Sequence, residues 1–557
     1  MHNIMKLKIA VFLLLGVPVA TVAQHLPDQM QKLMNAEFAI NEYYVDSVKE
    51  NKIVEDAING MLEKLDPHSS YSDAEETKEL NEPLQGNFGG VGIQFNMKQD
   101  TLYVIQTVAG GPSERVGILP GDRIVEVNDT SIAGVKMKNT EVMRRLRGPK
   151  GTKVRVLVNR HGEKINFVIT RAEIPLFSID ASYMVDSKTG YIKISRFAET
   201  THDEFMDAAK KLRQQGMTQL IIDLSDNGGG YLQAARDMAD EFLKSNQLIV
   251  YTEGRTSPRY NFNSDGLGTF ADGRLVVMVD QYSASASEIF TGAMQDWDRG
   301  VIVGRRTFGK GLVQRPFKFK DNSMMRLTIA RYYTPSGRCI QKPYEKGDKD
   351  DYEKDLYNRI KDGELTNVDS VRFDTSKKYF TLNNHRVIYG GGGIMPDVFV
   401  PIDTMEYTPY YRDIMGKGSV FQFTIGYVDK HRAEIKRNYA TSADFDQKFV
   451  VSDELMKDLV AAGTKDSVKY NATQYQKSEN LLKLIVKALI ARDTYDNADY
   501  YRIVNHHNNV LDEAVKVIND EKRYNDLLLR SHYVPKASVA KPTSDSKAKT
   551  VVNKKKK

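Results

Sequence analysis

The chain has 557 residues, with 79 Lys and Arg against 73 Asp and Glu, 41% hydrophobic residues, 39 Gly and a single Cys. That apolar fraction supplies a packed core, which excludes a chain disordered throughout, and glycine without a period excludes a collagen-like repeat. The net charge of +6 is a property of the tail: residues 536–557 hold eight Lys and one Asp, a local charge of +7, and leave the body at −1. A nucleic-acid reader needs a basic face on a folded domain, and the body has no net excess to build one.

Residues 1–23 place Lys6 and Lys8 ahead of an apolar run from Ile9 to Ala20, followed by the small-residue stretch Thr21-Val22-Ala23. This is the pattern of an export signal; the run is shorter than a membrane span and is broken by Gly16 and Pro18. The expectation is an exported, periplasmic protein. Cys339 has no partner for an internal disulfide, and no cysteine near the cut offers lipid attachment.

Residues 24–83 read as a helical segment, with Ile53, Ala57, Met61 and Leu65 at helical spacing and Asp66-Pro67 as the stop. Residues 84–172 alternate short β runs with turns around one helical pattern, Thr140 to Arg147, and predict a compact β-rich module. Residues 173–403 change to strands separated by helices. The uninterrupted apolar runs Leu220 to Leu224 and Leu275 to Val279 predict strands of an α/β sheet buried on both faces. Residues 404–535 have helical periodicity without legible chemistry. Residues 536–557 read as a solvated basic tail, with tethering to an anionic surface as the alternative.

Chemistry concentrates at four places. Gly89-Gly90-Val91-Gly92-Ile93-Gln94-Phe95 puts glycines before an apolar strand, so backbone N–H groups can converge on a terminal carboxylate while the strand pairs with an incoming chain. A simple turn is the bland alternative. Val142 and Leu146, one turn apart on the following helix, would wall this groove or pack the core. Ser283-Ala284-Ser285-Ala286-Ser287-Glu288 follows a buried strand and opens a helix, a position suited to an exposed hydroxyl nucleophile and equally to a helix cap. Thr307-Phe308-Gly309-Lys310-Gly311-Leu312-Val313-Gln314 sets a lysine between glycines in apolar surroundings. Burial there lowers the amine pKa and frees it as a general base, with Gln314 placed to orient it. Asn227-Gly228-Gly229-Gly230 lets N–H donors approach an oxyanion, together with the N–H of Ala286, or a nucleotide phosphate.

These segments, with Ala57 to Leu62, Leu65-Asp66-Pro67-His68-Ser69-Ser70-Tyr71, Tyr333 to Arg338 and Gly393 to Asp397, resemble the carboxyl-terminal processing peptidases, or tail-specific proteases. The stretch Gly110 to Ile124 is similar to PDZ domains. The resemblance implies a multidomain α/β architecture: a PDZ domain, a crotonase/ClpP-like protease core, and helical segments at both ends. It implies Ser285 as nucleophile, Lys310 as base, Gln314 as helper, and Gly229 with Ala286 as oxyanion donors. Peptide binding falls to Gly89, Gly90, Val91, Gly92, Ile93, Phe95, Val142 and Leu146. Ser225 and Gly228 depart from the family's usual Arg and Pro, so Gly228 and Gly230 remain alternatives to Gly229.

The function implied is cleavage of protein C-terminal tails with no cofactor and no metal. The alternatives are a silent PDZ scaffold and a crotonase-like acyl-transfer enzyme, for which no coenzyme A motif is present. Expected partners are protein substrates with accessible C-termini and no nucleic acid. Peripheral membrane association and a homodimer are further expectations.

Overall fold

The computed structural model describes residues 27–98, 100–372 and 374–530; the expected export signal and the basic tail lie outside them. The chain divides into two compact units after Leu62. The first contains the helices Asp28–Tyr43 and Glu50–Leu62, where the spacing suggests one run to Leu65. Tyr44 leaves the first helix with an extended backbone. Val45, Asp46 and Ser47 after it are weak helix formers, one β-branched and two that bond their own backbone.

The β-rich module is one sheet in the order Ile93–Lys98, Thr101–Thr107, Arg123–Val127, Lys153–Arg160, Glu163–Thr170, antiparallel throughout. The helix Asn139–Leu146 packs on it through Val142 and Leu146. Both are buried in a cluster with Val91, Leu102, Val104, Ile124 and Val156. A short pair, Asn87–Gly90 with Ala172–Pro175, brings the two ends of the module together. Ile93–Lys98 is an edge strand with one pairing side open.

The larger sheet runs Ile179–Met184, Thr189–Ile194, Gln219–Asp223, Leu275–Val279, Val301–Gly304, Val398–Phe399, parallel except for the first strand. Gln219–Asp223 and Leu275–Val279 are buried at every position, which explains their continuous apolar runs. One face packs against the helices Thr201–Gln214, Leu232–Asp240 and Ala286–Asp296.

The other face is covered from the far end of the chain. Val510, Ala514, Val517 and Ile518 of helix Asn509–Asn519, with Tyr524 and Leu527 of Glu521–Leu529, pack on Tyr191, Ile221, Val276 and Val303. The last two helices of the expected 404–535 helical region thus pack on the large sheet. The preceding helices, from Pro409–Gly416 to Asn497–Val504, share a hydrophobic cluster of their own. A second sheet, containing Ser70–Ser72, Met324–Tyr333, Leu248–Gly254, Ser257–Asn263 and Leu312–Lys318, stands beside the core. Among the described residues no helix is long and apolar enough to cross a membrane.

Candidate active site

The buried strand Leu275–Val279 is followed by Asp280, whose carboxylate accepts from the N–H groups of Asp226, Tyr282 and Ser283 and so fixes the turn. The three serines of that turn have different surroundings. Ser283 is fully buried, donating to the carbonyl of Leu224 at 2.8 Å and accepting from the Asp280 N–H. Ser287 is fully buried and donates to the carbonyl of Asn227 at 2.8 Å. Ser285 alone of the three reaches solvent. It has φ 55° and ψ −113°, a conformation that non-glycine residues seldom hold and that costs of order 1–3 kcal/mol. Its N–H donates to Glu288 at 2.9 Å.

Glu288 also joins this turn to the lysine loop. Its side chain is fully buried and accepts four bonds: from Ser285 N, from the Thr307 hydroxyl at 2.6 Å, from Gly309 N at 2.7 Å and from Lys310 N at 2.9 Å. Burial pushes its pKa up to about 7, and the four donors oppose that rise. Tyr332, buried on the strand Met324–Tyr333, contacts the carbonyl of Ser285 at 3.0 Å and the carbonyl of Lys310 through its hydroxyl. The main chains of Ser285 and Lys310 thus share one carboxylate and one phenol. The acidic residue four places after Ala284 reads in the sequence as a capping glutamate, and nothing there reveals its reach across to residues 307–310.

Every backbone N–H from Thr307 to Gly311 is bonded: to Ile394 O, Ser283 O, Glu288 twice, and the Gln341 side chain. The lysine loop is therefore rigid. Desolvation lowers the Lys310 pKa, outweighing the opposing attraction of Glu288 and Asp66. Around it lies the segment Leu65 to Tyr71. His68 bonds the Tyr352 hydroxyl at 2.8 Å, and burial, reinforced by the positive charge of Lys310, lowers its pKa to about 3, so it is neutral. Asp66 accepts from Ser69 and from the Thr328 hydroxyl at 2.9 Å. The amide of Gln314 donates to that same Thr328 hydroxyl at 3.2 Å, so Gln314 lies in the Asp66–Thr328 network.

The glycine loop approaches from the neighbouring strand. Asn227, fully buried, ties the two loops: its carbonyl accepts from Ala284 N and the Ser287 hydroxyl, and its amide donates to Ile194 O. A Cβ on Gly229 would fall 2.8 Å from Ser285 Cβ and 2.9 Å from Ala286 N, which puts this residue directly against the Ser285 turn. Its N–H, however, is engaged by the Asn227 side-chain oxygen at 2.9 Å. Gly230 is a glycine for a different reason, because its Cβ would sit 2.1 Å from Phe197 O. Ala286 is the first residue of its helix, where an N–H has no carbonyl one turn behind it.

Two further motif residues make buried ion pairs. Arg338 is buried and paired with Asp296 at 2.7 Å, and Asp397 accepts from Ile302 N and from Arg386. In the β module, Gly89 and Gly90 are set by packing: their Cβ atoms would lie 2.3 Å from Gly148 O and 2.7 Å from the Phe88 ring. Val142 and Leu146 are core residues, whereas Ile93 and Phe95 are only partly buried against that core. Among the described residues no group of three or more His, Cys, Asp or Glu is placed to hold a metal ion.

Comparison with known proteins agrees with this organisation. Residues 188–353 match peptidase family S41, residues 103–160 a PDZ domain, and residues 18–77 the N-terminal domain of the activating protease CtpB. Residues 410–496 match a family of unknown function. A probable CtpA-like serine protease of Staphylococcus aureus strain N315 is 36% identical over 324 residues, covering 58% of this chain and 64% of that protein. The chain thus spans just under two thirds of that relative's length. A carboxy-terminal-processing protease of Bartonella bacilliformis is 36% identical over 309 residues, 54% of this chain and 70% of that protein. A solved photosystem II D1 C-terminal processing protease is 27% identical over 56% of this chain and 90% of its own, with a TM-score of 0.32. With a PDZ domain ahead of its protease core, the chain belongs to peptidase family S41, among the carboxy-terminal-processing proteases.

Proposed function

We propose that the protein is an exported, periplasmic serine endopeptidase that engages the free C-terminus of a polypeptide through its PDZ groove and cleaves within that polypeptide's tail. The observation that carries this reading is the joint anchoring of Ser285 and Lys310 by Glu288 and Tyr332. It holds the solvent-reaching serine and a lysine of lowered pKa on two rigid loops.

In the mechanism, the neutral Lys310 amine takes the proton of the Ser285 hydroxyl as the oxygen attacks the scissile carbonyl. The resulting ammonium returns that proton to the departing amine, and water then resolves the acyl-enzyme with the lysine again as base. The oxyanion is held by Ala286 N–H and by an N–H of the 228–230 loop, a contribution of about 3–4 kcal/mol per donor. Use of Gly229 requires its bond to Asn227 to open. Gln314 acts through Thr328 and Asp66, holding the wall beside the amine. The test is incubation of an unstructured protein with wild type, Ser285→Ala and Lys310→Ala, read by mass spectrometry. Cleavage should stop in both variants, and cleavage that persists in either would reject the assignment.

A further inference from the structure

The edge strand Ile93–Lys98 of the PDZ module offers a fixed number of pairing positions. Gly92 O accepts from Val108 N, so Gly92 faces the partner strand and the alternation turns the main-chain groups of Ile93 outward. The register shift in this pair places the extra residue, Ile105, on the partner strand. Alternation along Ile93–Lys98 therefore continues unbroken. Ile93, Phe95 and Met97 face the open edge, and the strand ends in the turn after Lys98. An incoming chain has three rungs to pair with.

The third rung is already occupied. Gln422, on helix Ser419–Asn438 of the helical region, donates its side-chain amide to Met97 O at 2.9 Å. That helix is moored along the same module. Asp429 pairs with Arg123 at 3.0 Å, and Arg432 Nη2 lies 3.5 Å from Ile105 O. From the neighbouring helix, the carbonyl of Arg492 accepts from Gln106 at 2.6 Å. Residues 422, 429 and 432 share one helical face, which this module fills. Gln422 is thus presented to the strand edge by a fixed scaffold.

We propose that Gln422 sets the length of the peptide groove. Resting on the reading that the PDZ module captures C-termini, the terminal residue of a substrate pairs at Ile93 and the third from the end at Phe95. The fifth from the end finds Met97 O taken and turns away from the strand against helix Ser419–Asn438. The helical region, to which the sequence gives no chemistry, forms the far wall of the groove and determines where a captured tail leaves the PDZ module.

The test uses the full chain carrying Ser285→Ala, so that peptides are not consumed, and N-acetylated polyalanine peptides of four and seven residues ending in valine. With Gln422 present, calorimetry should give the two lengths the same affinity within about twofold. Gln422→Ala should strengthen the seven-residue peptide alone by about three- to tenfold, the effect of one net main-chain hydrogen bond. N-methylation of the fifth amide from the end should abolish that gain. Gln422→Glu keeps the size of the side chain but cannot donate, and should behave as Gln422→Ala does if the fold is intact by thermal melting. The proposal is overturned if the seven-residue peptide already binds several-fold better with Gln422 present and is weakened by that N-methyl group, or if neither variant changes the ratio. Failure of the underlying reading looks different: neither length binds, or amidated peptides bind as well as the free carboxylates, and the groove-length proposal then falls with it.

Discussion

Ser285 and Lys310, twenty-five positions apart in the chain, donate their backbone N–H groups to the same buried carboxylate, that of Glu288, each at 2.9 Å. One side chain therefore fixes the spacing between the Ser285 turn and the Lys310 loop. Replacing it with an isostere that presents an amide to one of these donors should break the arrangement without emptying the space. Glu288→Gln is expected to lower kcat at least tenfold with a smaller change in KM. Melting should show a loss of about 1–3 kcal/mol, the cost of a buried donor left unpaired. Steady-state kinetics alongside calorimetry checks both.

The pH dependence follows from two deprotonated groups. On the proposed mechanism, catalysis needs Glu288 ionised and Lys310 neutral, so kcat/KM is expected to rise with pH. It should fall away below about 7 as Glu288 gains a proton, and rise through the lowered Lys310 pKa at a midpoint below the ordinary lysine value of 10.5. Stability runs the other way for Glu288. Its folded pKa is raised from 4.5, so its contribution is fully present below 4.5 and is lost as pH rises through about 7. Melting temperatures of wild type relative to Glu288→Gln should therefore fall across that window, a trend a pH titration followed by calorimetry would reveal or refute.

The three serines of one turn should separate into two kinds. Ser285→Ala is expected to abolish cleavage and change the melting temperature little, since it removes a hydroxyl that reaches solvent and keeps the Cβ held at φ 55°. Ser283→Ala and Ser287→Ala remove buried hydroxyls that donate to Leu224 O and Asn227 O, and should cost about 1–3 kcal/mol of stability while retaining activity at permissive temperature. Equal stability of all five proteins, counting wild type and Lys310→Ala, would contradict this division.

The glycine loop offers a graded series. A Cβ on Gly228 meets nothing within 4 Å, one on Gly229 lies 2.7 Å from Ala284 O, and one on Gly230 lies 2.1 Å from Phe197 O. Gly228→Ala should be tolerated in both folding and rate. Gly229→Ala should lose at least a hundredfold in kcat by pressing on Ser285, and Gly230→Ala should lower the yield of folded protein. Kinetics of all three, with circular dichroism as the control for folding, tests the order.

The division of labour between sequence and tertiary structure is visible in particular residues. Strands Gln219–Asp223 and Leu275–Val279, the helix Asn139–Leu146 and the turn ahead of Ala286–Asp296 were legible because local apolar periodicity and small residues write them directly into the chain. Other features depend on distant segments. The helices Asn509–Asn519 and Glu521–Leu529 look like any amphipathic helices until the sheet they cover is known. Val142 and Leu146 read as groove or core alike, and only packing places them in the core. Glu288 reads as a helix cap, His68 stands inside the Leu65 to Tyr71 motif, and Gln422 carries no local signal. Their partners lie 22, 284 and 325 positions away, so no local pattern can announce them. Sequence by itself determined which segments form strands, helices and the turns between them, because those depend on neighbours along the chain. The three-dimensional fold decided which buried donor faces which acceptor, because desolvation and hydrogen bonding act through space.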